Sequence, residues 1–332
     1  MILLQGYVIK EMVYENNRIR LYRGCMEKKQ IPVLIEVLKE EASNPLEISK
    51  LIYEYEIARV LKIEGVMEPI KLENIGNYFA MIMEDVGAVT LREYIKNRPL
   101  EVPIFLDIAI QLAEILGRLH KNGIIHRDLN VDNIFVNPDT GITKITGFNN
   151  AVLFSVKSMD SSVLDALSNT IVHGTAGENA WLEETIDYRC DYFSLGKVFL
   201  EILSGHCSAG PTGFNEYPDY SFYKINPEIP VAIRDIIMKL LSQNPDDGYQ
   251  SAYGIIKDLD ECRRQWNLTG KIEPFIPGRM DISLRFELPH RLYGREKEAK
   301  ILKSAFKRAC NGQGELIIIS GYAGVGKTAL LN

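Results

Sequence analysis

The hydrophobic pattern changes period once, near residue 85, and this change restricts the fold more than any other feature of the chain. Before it, apolar residues alternate in YVIKEMV, RIRLYRG and IPVLIEVLK, with turn-like ENN and MEKKQ between them. Period two predicts strands, because successive strand side chains point to opposite faces. One helix interrupts them in SNPLEISKLIYEYEIARVLKI, where Ser43 or Asn44 is placed to cap the first turn. Two more strands are expected near Met67 to Leu72 and Tyr78 to Met83. From Val86 the spacing becomes three and four, and helices are predicted over TLREYIKN, PIFLDIAIQLAEILGRLHKNG, DYFSLGKVFLEILSG and PVAIRDIIMKLLSQ. The pattern therefore gives an α+β chain, with a small lobe of five strands and one helix over residues 1–84 and a larger helical lobe over 85–266.

Composition narrows the partners. The chain has 332 residues, 46% of them apolar, which is ample for a buried core. A net charge of -6 leaves no broad cationic surface for nucleic acid or an anionic membrane. The 5 cysteines are scattered without a C-x-x-C pair, so reduced thiols are expected rather than a disulfide framework or a zinc site. The N-terminus MILLQGYVIKEM lacks the basic and cleavage regions of a signal peptide, and no apolar run approaches the roughly 20 residues of a membrane span. A soluble, cytoplasmic chain is the expectation. Residues 267–291, NLTGKIEPFIPGRMDISLRFELPHR, are rich in proline and glycine with weak periodicity and read as a linker.

The stretch IIHRDLNVDNIFV carries the chemistry. With it, residues 1 to about 266 resemble a eukaryotic-type serine/threonine protein kinase domain of bacterial style. The resemblance implies a bilobal kinase-like fold, ATP and Mg2+ as cofactors, and a protein substrate or partner. In the family's H-R-D-x-x-x-x-N loop the aspartate accepts the substrate hydroxyl proton and the asparagine holds magnesium. Asp128 and Asn133 match those two, with His126 and Arg127 also in place. Asn130 stands where such kinases usually have a lysine. Met83-Glu84-Asp85 matches the strand end and hinge beside adenine, with Met83 as gatekeeper; Asp191 matches the helix aspartate that anchors the catalytic loop; and Glu54 is a better match to the helix glutamate than Glu56.

The phosphate-handling parts depart from the family pattern. The V-A-I-K strand reads VLIE, so Glu36 replaces the lysine that pairs with the helix glutamate. Like charges about 4 Å apart repel by roughly 4 kcal/mol at an effective dielectric near 20. Lys39 falls on the opposite strand face, whereas Arg18 or Arg20 offers a relocated cation. Leu34 stands where a small alanine commonly covers adenine, and is expected to fill part of the base pocket. The glycine-rich loop reads YENNRIRL, with Tyr14, Asn16 and Ile19 on the glycine positions. D-F-G becomes Gly147-Phe148-Asn149, which loses the magnesium carboxylate. GTAGENAWLEETIDYR lacks A-P-E, with Glu183 its nearest candidate, and Gly248 replaces the arginine that usually pairs there.

Beyond the linker, a helical GREKEAKILKSAFKRAC and a strand-like ELIIIS lead into GYAGVGKT, which satisfies G-x-x-x-x-G-K-[ST]. In that motif Gly321 and Gly326 would shape a phosphate cradle, Lys327 would reach the β- and γ-phosphates and Thr328 would ligate magnesium. Residues 292–332 thus resemble the start of an AAA-like signal-transduction ATPase, an incomplete α/β segment. The order of parts resembles large bacterial sensor proteins that continue to further ATPase and sensor domains. Three functions stay open: a pseudokinase acting as a regulatory module, an active serine/threonine kinase with Asp128 as base and Asn133 as metal ligand, and an adaptor for a switch driven by the P-loop.

Overall fold

The computed structural model describes residues 6–39, 44–75, 78–96, 99–153, 187–205, 229–282, 296–310 and 316–320. Strands β1 (Tyr7–Glu15), β2 (Ile19–Met26), β3 (Pro32–Leu38), β4 (Pro69–Ile75) and β5 (Tyr78–Glu84) form one antiparallel sheet in the order β1-β2-β3-β5-β4. The alternation of β3 sorts its side chains between two clusters. Val33, Ile35 and Val37 pack on one face with Ala80 and Ile82, while Leu34 and Leu38 pack on the other with Leu21, Leu51, Met81 and Met83. By the same alternation Glu36 points to the second face, which is the one α1 covers.

Helix α1 (Pro45–Leu61) starts where the side chain of Asn44 accepts a hydrogen bond from Glu47 N at 3.0 Å and Pro45 enters the first turn. It ends at Lys62, which adopts a left-handed conformation. Asn44 is thus the cap, and Ser43 lies outside the described residues.

The second lobe comprises β6 (Val89–Thr90), α2 (Leu91–Tyr94), α3 (Val102–Lys121), β7 (Ile124–Ile125), β8 (Ile134–Val136), β9 (Thr143–Ile145), a 3-10 turn at Phe148–Asn150, β10 (Val152–Leu153), α4 (Arg189–Ser204), α5 (Val231–Leu240) and α6 (Ala252–Thr269). The central helix α3 buries ten apolar side chains, among them Phe105, whose ring meets Phe199 of α4 edge-on at 5.2 Å. Among the described residues no helix is long and apolar enough to cross a membrane, and Cys25, Cys190 and Cys262 are free.

Two expectations need correction. The stretch read as a linker from residue 267 is packed structure as far as 282. Helix α6, capped by Ser251 on Gly254 N at 3.1 Å, runs on to Thr269. The chain then folds back along the lobe: Ile272 is buried in its core, Gly278 N donates to Asp258 at 2.6 Å, and Asp281 accepts from Ser251 Oγ at 2.7 Å and Gln250 N at 2.7 Å. The weak periodicity reflects a segment whose order comes from side-chain anchors rather than a regular ladder. Residues 1–282 accordingly form one compact unit and 283–332 a second. In the second unit α7 (Glu296–Cys310) forms as expected, but residues 316–320 of the strand-like ELIIIS are not a strand, and Leu316 and Ile318 stand exposed. A strand needs a partner for its backbone groups, and among the described residues these five have none.

Candidate functional site

The catalytic-loop stretch is held from beneath by one buried carboxylate. Asp191 Oδ2 accepts from His126 N at 2.9 Å and Oδ1 from Arg127 N at 2.8 Å, while the His120 ring nitrogen lies 2.8 Å from Oδ2. Burial alone would push the Asp191 carboxyl up, but these partners outweigh it and hold its pKa below the ordinary value. Arg127 adopts a left-handed backbone with φ 64°, a strained conformation for a non-glycine residue. The hydrogen bond that its N–H donates to Asp191 offsets that strain. His126 packs against Phe148 and reaches Thr146 O at 2.9 Å.

Above this platform Asp128 and Asn133 lie together. Asn133 Nδ2 donates to Asp128 O at 2.8 Å, and Asn130 Nδ2 donates to Asp128 Oδ1 at 2.9 Å. Asn130, at the family's lysine position, thus binds the aspartate itself and closes the loop by accepting from Asp132 N at 2.9 Å. Asn133 also fills the neighbouring space. Gly147 has φ 86°, and a Cβ built on it would lie 2.5 Å from Asn133 Cγ.

The opposite wall shows where the missing cation went. Glu36 and Glu54 are both buried, and Arg18 reaches in between them, its Nη2 3.6 Å from Glu36 Oε1 and 3.9 Å from Glu54 Oε2. Its other terminal nitrogen is 3.4 Å from Glu47. Burial lowers the arginine's pKa while Glu36, Glu54 and Glu47 raise it, and the carboxylates win. Glu36 is pushed up by burial and by Glu54, only partly countered by Arg18. Of the two candidate cations, Arg18 is the one in the cleft; Arg20 pairs with Glu15 at 2.9 Å. Lys39 also pairs with Glu15, at 2.7 Å, as the strand alternation requires.

Glu54 has a second task that sequence spacing did not disclose. Its Oε1 accepts from Gly147 N at 2.7 Å, Phe148 N at 3.2 Å and Thr146 Oγ1 at 3.3 Å. The glycine-poor loop closes without glycine: the Asn16 carboxamide oxygen accepts from Arg18 N and Ile19 N, both at 2.8 Å. A cavity of 360 Å3 lies between the lobes, lined among others by Asn16, Arg18, Glu36, Met83, Asp128 and Asn133. Leu34 is buried in the sheet cluster beside Met83. The Glu84 carboxylate instead accepts from Glu68 N at 2.9 Å and pairs with Lys144. Glu183, Gly321, Gly326, Lys327 and Thr328 lie outside the described residues.

At the family's metal-binding positions Gly147 has no side chain to offer, while the bond from Asn133 Nδ2 to Asp128 O leaves Asn133 Oδ1 as the oxygen that can face an ion; among the described residues no group of 3 or more His, Cys, Asp or Glu could hold a metal ion. Near Gly248 the expected arginine is absent, and Arg189 supplies a different clamp, bonding to Gln250 Oε1 at 2.9 Å and Asp246 Oδ1 at 3.2 Å.

Comparison with known proteins places this arrangement. The protein kinase domain matches residues 19–250, and the AAA ATPase domain matches residues 291–332. A probable serine/threonine-protein kinase of Clostridium perfringens is 31% identical over 283 residues, covering 81% of this chain and 40% of that protein. Hybrid signal transduction histidine kinase G of Dictyostelium discoideum is 25% identical over 331 residues, covering 71% of this chain and 10% of that protein. The chain therefore spans well under half the length of these relatives. The crystal structure of the Mycobacterium tuberculosis PknI kinase domain superposes with a TM-score of 0.55 at 17% identity, covering 78% of this chain and 97% of that one. The bilobal fold, the Asp191-anchored loop bearing Asp128 and Asn133, and the match over residues 19–250 together mean that this chain belongs to the protein kinase family.

Proposed function

We propose that the kinase-like unit is a catalytically impaired module, a pseudokinase, that serves as a regulatory and protein-binding part of a larger protein containing the ATPase segment. One observation carries the reading. The family's phosphate-binding lysine is replaced by Glu36, and the compensating cation, Arg18, is committed to Glu36, Glu54 and Glu47 within the fold. A triphosphate entering there meets two buried carboxylates and must draw away their counter-charge, which is strongly unfavourable in a partly dry cleft. Of the two positions that hold Mg2+ in the family, Gly147 offers no carboxylate and the Asn133 carboxamide oxygen is the donor left.

The competing reading is an active serine/threonine kinase that transfers the ATP γ-phosphate to a protein hydroxyl. The close placement of Asp128 and Asn133 favours it. Thermal shift of the full chain carrying Lys327→Ala, which silences the P-loop, separates the two. A ligand that binds only the folded state raises Tm, so the impaired module shows no magnesium-dependent rise with ATP. A clear rise would remove the charge argument for impairment, and phosphate transfer abolished by Asp128→Asn would establish the enzyme instead.

A further inference from the structure

We propose that the cleft is a binding site for a small organic cation, an ammonium, amidinium or guanidinium head on an apolar body, which seats against Glu36 and Glu54 where the Arg18 guanidinium now lies. The proposal deepens the impaired-kinase reading and rests on it, since it assigns the same cleft a ligand of opposite charge to Mg·ATP.

The first support is an unmade set of hydrogen bonds. Glu36 is 3% exposed and Glu54 1% exposed, and Glu36 Oε1 and Glu54 Oε2 accept no hydrogen bond. Both residues line the cavity. The one cation between them sits at 3.6 Å and 3.9 Å, beyond the 2.7–3.2 Å that an N–H···O bond prefers. Buried carboxylate oxygens without donors are costly, and a head group with several N–H donors can satisfy both at once. Among the described residues no group of 3 or more His, Cys, Asp or Glu gathers to give a metal ion its shell here.

Charge balance points the same way. Arg18 faces Glu36, Glu54 and Glu47, and Glu47 also takes Lys50 at 2.8 Å. Once Glu36 is ionised, three carboxylates thus share two cations. The other cations on the cavity wall do not reverse this: Arg92 is held by both oxygens of Asp132, at 2.6 Å and 2.9 Å, and Arg127 and Lys197 share the lining with Asp128 and Glu201.

Shape supplies the rest of the specificity. The cavity of 360 Å3 includes Ile19, Leu21, Met83 and Phe135 in its wall, an apolar surface next to the carboxylates, and its size lies within the range of small-molecule sites. A flat apolar body with a cationic end matches this better than a compact hydrated ion.

Benzamidine and its neutral near-isostere benzamide form the test, titrated calorimetrically and by thermal shift into the full chain at pH 9, where Glu36 is ionised and benzamidine remains a cation. Benzamidine is expected to bind and raise Tm while benzamide does not. Arg18→Ala vacates the head-group position and should bind benzamidine about tenfold more tightly, whereas Glu36→Gln, which keeps shape and removes charge, should weaken it by about tenfold or more. Equal responses to the two probes, no response to either, or unchanged affinity in Glu36→Gln would overturn the proposal. ATP is absent from these titrations, so their outcome is separate from that of the magnesium-dependent ATP shift.

Discussion

Arg18 and Glu36 form an ion pair in the wall of the cleft, Nη2 to Oε1 3.6 Å, with the Glu36 side chain 5% exposed and that of Arg18 23% exposed. Removing the cation from such a pair leaves buried charge without compensation, which costs about 3 kcal/mol. Arg18→Ala is expected to lose about that much in urea denaturation at pH 9, where Glu36 is ionised, and adding Glu36→Gln should restore most of it. Two strictly additive losses would mean that the pair is not coupled.

Burial and Glu54 raise Glu36 to about 8 from an ordinary value of 4.5. A raised carboxyl binds its proton more tightly in the folded chain, so its contribution to stability declines as pH climbs from about 4.5 to about 8. Glu36→Gln removes that titration. Its stability relative to the native chain should therefore increase between pH 5 and pH 8, by on the order of a few kcal/mol, measured as Tm or urea midpoint across that range. A difference that stays flat with pH would refute the assignment.

Asp191 receives two backbone amides and His120 on its two oxygens. In Asp191→Asn one oxygen becomes an amide donor facing other donors, and the left-handed Arg127 loses part of its support. The expected destabilisation is on the order of 3 kcal/mol. The pKa of Asp191 is lowered, so the native chain also loses this contribution on acidification through the carboxylate range, and the gap to the variant should narrow there.

Gly147→Asp restores the family's residue in name without restoring its site. At φ 86° the new Cβ meets the Asn133 carboxamide at 2.5 Å, so Asn133 must shift away from Asp128 O. The variant should melt earlier, by an amount equivalent to about 1–2 kcal/mol, and show no magnesium-dependent ATP stabilisation. A gain of such stabilisation would show that this position alone had been limiting.

Gly254 makes room for Asp281: a Cβ there would lie 2.4 Å from Asp281 Oδ1. Gly254→Ala should dislodge residues 271–282 from α6, uncovering Ile272 at a loss of about 2 kcal/mol. Limited proteolysis reads this as faster cutting within 271–282, and an unchanged digestion pattern would count against the segment being anchored there.

Local signals made much of this molecule legible. Alternation in IPVLIEVLK placed Glu36 on the inner face and Lys39 on the outer one, and the helix register singled out Glu54. The catalytic-loop match brought Asp128, Asn133 and Asp191 to the places they occupy. What the sequence could not supply was partnership across distance. Arg18 was one of two candidate cations, and only folding of the Asn16 turn chooses it and turns Arg20 to Glu15. The acceptance of the Gly147 and Phe148 amides by Glu54, across 93 and 94 residues, has no local signature. Neither has the return of residues 271–282 along α6, whose anchors Gly278 and Asp281 look like ordinary turn residues. Residues 316–320 show the converse, since strand propensity alone does not make a strand where none of the described residues pairs with them.

Helix α1 is fastened to the second lobe by groups the protein itself provides: Glu54 grips the Gly147 and Phe148 amides, and the Tyr53 hydroxyl donates to Ala151 O at 3.0 Å. Swinging α1 outward would strip a buried carboxylate of its donors, so any displacement of this helix carries the Gly147–Phe148 turn with it or leaves Glu54 unpaired.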